Sequence, residues 1–131
     1  MKTDLIPTWR PLLSALLASM AFTMTARAAT IIWTNTAGGN WNVAANWNPQ
    51  QVPGAADDPC ITNNSSYTVT VNTPVNVASL TLGGATGTQT LNLSANTFTL
   101  TGPGNGNNQA VLSITGGTLA GPGTLTLAGI H

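Results

Sequence analysis

From Tyr67 onward the chain alternates, with one apolar and one polar residue in turn. Tyr67-Thr68-Val69-Thr70-Val71, Val75-Asn76-Val77, Leu80-Thr81-Leu82, Leu91-Asn92-Leu93, Phe98-Thr99-Leu100, Leu112-Ser113-Ile114 and Leu125-Thr126-Leu127 each set apolar residues two apart. That period predicts short strands with one buried face, and no stretch after Asp57 has helical periodicity. Between the runs stand Gly83-Gly84, Ser94-Ala95-Asn96, Gly102-Pro103-Gly104-Asn105-Gly106, Gly116-Gly117 and Gly121-Pro122-Gly123, all turn or corner sequences. Upstream, Thr30-Ile31-Ile32-Trp33-Thr34 predicts one more strand, ended by Ala37-Gly38-Gly39-Asn40. The segment from Asn40 to Pro49 predicts turns, or one helical turn around Val43-Ala44-Ala45, and Val52-Pro53-Gly54 a further reversal.

Regular short strands suit a β-sandwich or a solenoid. Ser79-Leu80-Thr81-Leu82-Gly83-Gly84, Thr97-Phe98-Thr99-Leu100-Thr101-Gly102, Leu112-Ser113-Ile114-Thr115-Gly116-Gly117 and Thr124-Leu125-Thr126-Leu127-Ala128-Gly129 are versions of one unit, which favours an all-β solenoid. The β-sandwich is the alternative. The units are unevenly spaced and leave the coil length open. In such a stack the apolar positions fill a narrow core, while Thr and Asn face water or form corner ladders.

Composition sharpens this reading. Only 5% of the residues are charged, and Lys2, Arg10 and Arg27 are the only basic ones besides His131. Met1 to Ala28 predicts a secretory signal peptide: a basic start, the apolar run from Pro11 to Phe22, and an Ala26-Arg27-Ala28 cleavage box. The apolar run is too short to span a membrane, which takes about 20 residues. The processed chain would keep Asp57 and Asp58 as its only carboxylate side chains and no Lys or Arg, which excludes nucleic acid as a partner. The domains expected are therefore a signal peptide (1–28), a Trp-rich N-terminal cap (29–58) and the first coils of a solenoid (59–131).

Several residues resemble a known pattern. Trp33, Gly38-Gly39-Asn40-Trp41, Ala44, Asn46-Trp47, Pro49, Val52-Pro53, Asp57-Asp58, Ile61, Tyr67-Thr68-Val69 and Val77-Ala78-Ser79-Leu80-Thr81-Leu82 resemble the N-terminal start of large exported bacterial β-helix proteins, autotransporter-like and adhesin-like. The resemblance spans Ile31 to Gly129. It implies a right-handed parallel β-helix with the tryptophan segment at its N-terminal end, and a non-catalytic stalk or adhesive passenger, secreted or at the cell surface. It also implies that the chain, ending within a repeat, is the start of a longer protein. Extracellular polysaccharide, or a host or cell surface, is the expected partner. Pro59-Cys60 departs from the pattern, since strand-forming aliphatics are expected there.

Candidate chemistry is sparse. The exported part has no Lys, Arg or Glu, and His131 is terminal, so no acid–base pair or nucleophilic triad is predicted and neither is a cofactor. Asp57 and Asp58 are weak candidates for calcium, against a reading in which one caps the turn after Pro53-Gly54 and the other faces solvent. Cys60, the single cysteine, is expected as a small buried hydrophobe at a strand start. Trp33, Trp41 and Trp47 carry the main ambiguity. As a cap they would cover the open end of the first coil; as a glycan site at least two rings would stand exposed and coplanar. The functional alternatives are thus a carbohydrate-binding module, or the N-terminal part of a polysaccharide-degrading β-helix enzyme.

Overall fold

The computed structural model describes residues 27–129, so the expected signal segment lies outside the described residues except for Arg27 and Ala28. Thirteen strands follow one another: β1 (Thr30–Trp33), β2 (Gly39–Asn40), β3 (Trp47–Asn48), β4 (Asp58–Ile61), β5 (Tyr67–Thr70), β6 (Val75–Val77), β7 (Leu80–Leu82), β8 (Gln89–Asn92), β9 (Thr97–Leu100), β10 (Gly104–Gly106), β11 (Ala110–Ser113), β12 (Thr118–Ala120) and β13 (Leu125–Leu127). A single 3-10 turn, Ala44–Asn46, precedes β3.

Consecutive strands do not pair; each pairs with the strand one coil away. The three sheets run β3-β1-β4-β7-β10-β13, β2-β5-β8-β11 and β6-β9-β12, parallel throughout except for the antiparallel β1–β3 pair. The result is a parallel β-solenoid of about three turns. A sandwich is excluded, because it needs two antiparallel sheets facing each other. In the first sheet Cys60 pairs with Thr81, Thr81 with Asn105 and Asn105 with Thr126, coil steps of 21, 24 and 21 residues.

The inward columns follow the pleat. Ile61, Leu82, Gly106 and Leu127 stack in the first sheet, Val69, Leu91 and Leu112 in the second, and Val75, Phe98 and Leu119 in the third. Thr68, Thr81 and Asn76, between them, are exposed. Corners are tight. Gly87 turns there with φ +80°, and a Cβ on it would overlap the Ser65 carbonyl of the coil below.

Four expectations need correction. Gly102 to Gly106 reads as a loop, yet Gly104–Gly106 is β10, paired between β7 and β13 in the first sheet. Its glycines make room for leucines, since a Cβ on Gly104 would come within 2.8 Å of both Leu100 and Leu125, and one on Gly106 would overlap Leu127. Ile114 lies beyond β11 and is 52% exposed, because no further coil covers it among the described residues. Cys60 is half-exposed and points outward, because its neighbours Pro59 and Ile61 take the inward positions. Finally, Pro59-Cys60 departs from the strand-forming aliphatics expected there, yet β4 begins at Asp58 and runs through both.

Proline is tolerated inside β4 for a local reason. Asp58 N–H bonds back to the Ala29 carbonyl, so the next nitrogen along a parallel strand points the other way, toward β7. That nitrogen belongs to Pro59, and β4–β7 pairing begins only at Cys60.

Candidate functional site

At the N-terminal end the third sheet has no strand from the first coil, and large side chains occupy its place. Trp33, Trp41 and Trp47 are 0%, 0% and 1% exposed. Trp33 and Trp47 lie opposite each other on β1 and β3, with ring centroids 5.0 Å apart and planes at 89°. Trp47 meets Trp41 at 4.7 Å and 68°, and Trp41 meets Phe98 at 5.3 Å and 86°. Edge-to-face packing of this kind joins the cap to the core of the coils above. None of the three rings offers a face to solvent, so they form no coplanar sugar platform.

Asparagines place those rings. Asn46, in the helical turn between Trp41 and Trp47, donates to the Asn40 carbonyl at 3.1 Å and accepts from Asn35 Nδ2 at 3.0 Å. Asn35 also donates to the Gly38 carbonyl at 2.8 Å and accepts from Ala37 N–H at 3.1 Å. Thr34 N–H then reaches the Asn46 carbonyl at 2.8 Å. Trp33 Nε1 donates to the Asn35 carbonyl at 2.6 Å and Trp47 Nε1 to the Trp41 carbonyl at 2.8 Å. Trp41 Nε1 is buried without a partner.

The corners use the same chemistry between coils. Asn63 donates to the Trp33 carbonyl at 2.7 Å, Asn96 to that of Val71 at 2.8 Å, and Asn107 to that of Gly84 at 2.7 Å. Asn72 meets Asn42 at 2.7 Å. All four tie a coil to the one before it; the first three do so through a backbone carbonyl at a corner, and the Asn72–Asn42 bond joins two side chains.

Asp57 and Asp58 diverge. Asp57, 8% exposed, accepts from Gly54 N–H at 2.8 Å, Gln51 Nε2 at 3.4 Å and Ala29 N–H at 3.4 Å, so it closes the turn after Pro53. Asp58, half-buried, accepts from Ser79 Oγ on the next coil at 2.6 Å. The two carboxylates serve different partners, and no group of three or more His, Cys, Asp or Glu gathers among the described residues.

Gln89 was not anticipated. It occupies an inward position of β8, in one column with Tyr67 and Ala110, and is fully buried. Oε1 accepts from Gly84 N–H at 2.6 Å, while Nε2 donates to the Ser65 carbonyl at 2.5 Å and the Thr86 carbonyl at 3.0 Å. Extending the Leu91–Leu93 alternation two residues back would have placed it inward.

Tyr67, its neighbour, has a buried hydroxyl with no hydrogen-bond partner. Burial pushes its phenol above the ordinary value of 10.0; the nearby Asn63 backbone acts in the opposite direction without forming a well-shaped bond. The folded state thus holds this proton more tightly than the unfolded chain. The associated stability is complete below about pH 10 and is lost as pH rises through the folded value. Tyr67→Phe is expected to leave the urea midpoint at pH 7 unchanged or slightly higher and to flatten the alkaline decline. A loss above about 1 kcal/mol at pH 7 would mean that the hydroxyl has a partner after all.

A shallow depression of about 360 Å³ lies along the corner that follows β7, β10 and β13, lined by Gly84, Ala85, Asn107, Asn108, Gln109 and Ala128. Its walls carry no titratable side chain. No helix among the described residues is long and apolar enough to cross a membrane. Comparison with protein-family models, curated proteins and solved structures finds no match. The class that the fold itself defines is a parallel β-solenoid with a tryptophan-filled end.

Proposed function

We propose that the chain is a non-catalytic, exported structural segment, the start of a stalk or surface passenger of the kind carried by autotransporter-like and adhesin-like proteins. The observation that carries this reading is the difference between the two ends. At one end the two-residue antiparallel strand β3 covers β1, and the three indoles fill the core. At the other, β11, β12 and β13 each pair on one side only among the described residues, and Leu112, Leu119, Leu125 and Leu127 are only partly buried. In such a column each coil is stabilised by its neighbours. The buried indoles favour the cap over the sugar platform.

Open parallel edges associate. Residues 29–131 alone are expected to give a strand-rich circular dichroism spectrum and to self-associate with rising concentration in sedimentation velocity. Ile114→Lys with Thr126→Lys, which charges the open end, is expected to reduce that association. A cooperative, monomeric fold at high concentration would argue against the open-column reading. Retention on insoluble polysaccharide would favour a binding module.

A further inference from the structure

Two independent features meet at Ala29. The Ala26-Arg27-Ala28 box predicts peptidase cleavage between Ala28 and Ala29. In the fold, Ala29 is also where the chain first enters the column. Its N–H donates to Asp57 Oδ1 at 3.4 Å, its carbonyl accepts from Asp58 N–H at 2.8 Å, and β1 begins at the next residue. Arg27 and Ala28 are exposed and outside any strand.

Cleavage there changes the charge of that nitrogen. Water splits the amide bond, Ala28 leaves with a carboxylate, and Ala29 keeps an amine that takes up a proton at neutral pH. An uncharged donor facing a nearly buried carboxylate becomes a cation at the same place. No lysine or arginine remains to meet that carboxylate, because Lys2, Arg10 and Arg27 all precede the cleavage point and leave with the signal segment. The groups that meet Asp57 are Gly54 N–H, Gln51 Nε2 and Ala29 N–H. The adjacent carboxylate, Asp58, is engaged with Ser79.

We propose that export processing creates an ion pair between the Ala29 α-ammonium and Asp57, which fastens the first residue of the column to the turn entering β4. The pair would add a charge contact to the loop from residue 29 to residue 57 that carries all three buried tryptophans, a loop that the uncleaved chain already closes through the Ala29 N–H and carbonyl. The inference rests on the export reading and is independent of the stalk role, which the association experiment tests separately.

The processed protein contains no lysine, so its α-amino group is its only aliphatic amine and amine-selective labelling reports on it alone. The test is to export the full chain from a bacterial host, establish its first residue by intact mass and N-terminal sequencing, and label it at pH 8 with and without urea. Ala29 is the expected first residue. An ion pair that raises the amine from its ordinary value near 8 by about one unit slows labelling several-fold, up to about tenfold, in the folded state. By linkage, its contribution to stability is complete below about pH 8 and is lost as pH rises through the folded value.

Asp57→Asn keeps an oxygen for Gly54 N–H and is expected to return folded-state labelling to the unfolded rate. Should that variant not fold, a chain prepared with Ala28 as its first residue moves the ammonium one residue away and is expected to do the same. A different first residue, or labelling equally fast in folded and unfolded protein, would overturn the proposal. So would slow labelling that persists in the Asp57→Asn protein or, where that does not fold, in the Ala28-extended chain.

Discussion

Trp41→Ala and Trp47→Ala are each expected to cost about 3 kcal/mol or more and to cause aggregation, within the range for truncating a buried aromatic residue. Each ring is fully buried, and each touches two other rings of the chain Trp33–Trp47–Trp41–Phe98, so removing either one breaks that chain in the middle. The space left cannot be closed by a neighbouring strand, because the third sheet begins only with β6 in the next coil.

Phenylalanine substitutions should separate the two positions. Trp47→Phe removes the only side-chain bond to the Trp41 carbonyl, whereas Trp41→Phe removes an indole N–H that has no partner. Trp47→Phe should therefore be the more costly, by about 1 kcal/mol, in urea unfolding followed by circular dichroism. If the alanine variants fold normally and lose only retention on an insoluble polysaccharide, the rings are a binding surface and the structural reading fails.

The strands that could be read from the sequence were those whose own residues carry the alternation. Val75–Val77, Leu80–Leu82 and Leu125–Leu127 have the expected bounds because each holds two inward aliphatics. β10 could not be read this way, since its inward positions are glycines and the apolar atoms filling that layer come from Leu100, Leu125 and Leu127. β12 has a single inward leucine, Leu119, too little for a period. Coil length was hidden for a related reason. The repeated unit is one strand and one corner: Ser79 to Gly84 lies on the first sheet, Thr97 to Gly102 on the third and Leu112 to Gly117 on the second. Three such units make a coil.

The candidate site was legible as a segment, but the state of its rings was not. Spacings of eight and six residues between Trp33, Trp41 and Trp47 are compatible with either burial or exposure. What decides it is the antiparallel return of β3 onto β1, held by Asn35 and Asn46. In the sequence Asn46 reads only as part of a turn, and Asn35 carries no signal of its own.

Gln89 leads to the second large expected effect. Its amide spans two coils, accepting from Gly84 on its own coil and donating to Ser65 on the coil below. Gln89→Ala would leave the Gly84 N–H and two carbonyls to find new partners and would open a cavity over Tyr67. Since an orphaned buried group costs about 1–3 kcal/mol, a loss of at least 3 kcal/mol is expected. Gln89→Leu restores most of the volume but none of the bonds and should recover less than half of that loss. Gln89→Glu is the more discriminating variant, because it keeps the oxygen that faces Gly84 N–H and turns the other toward the carbonyls of Ser65 and Thr86. Only the protonated acid can donate there, so its folded pKa should lie above the ordinary glutamate value of about 4.3. Its stability would be greatest below about pH 4 and would fall as pH rises through the folded value, whereas the parent protein should show no such fall between pH 4 and 7. Urea midpoints at pH 4 and 7 measure this directly, and equal midpoints for Gln89→Glu at both would mean that the corner opens to water and Gln89 does not clamp the coils.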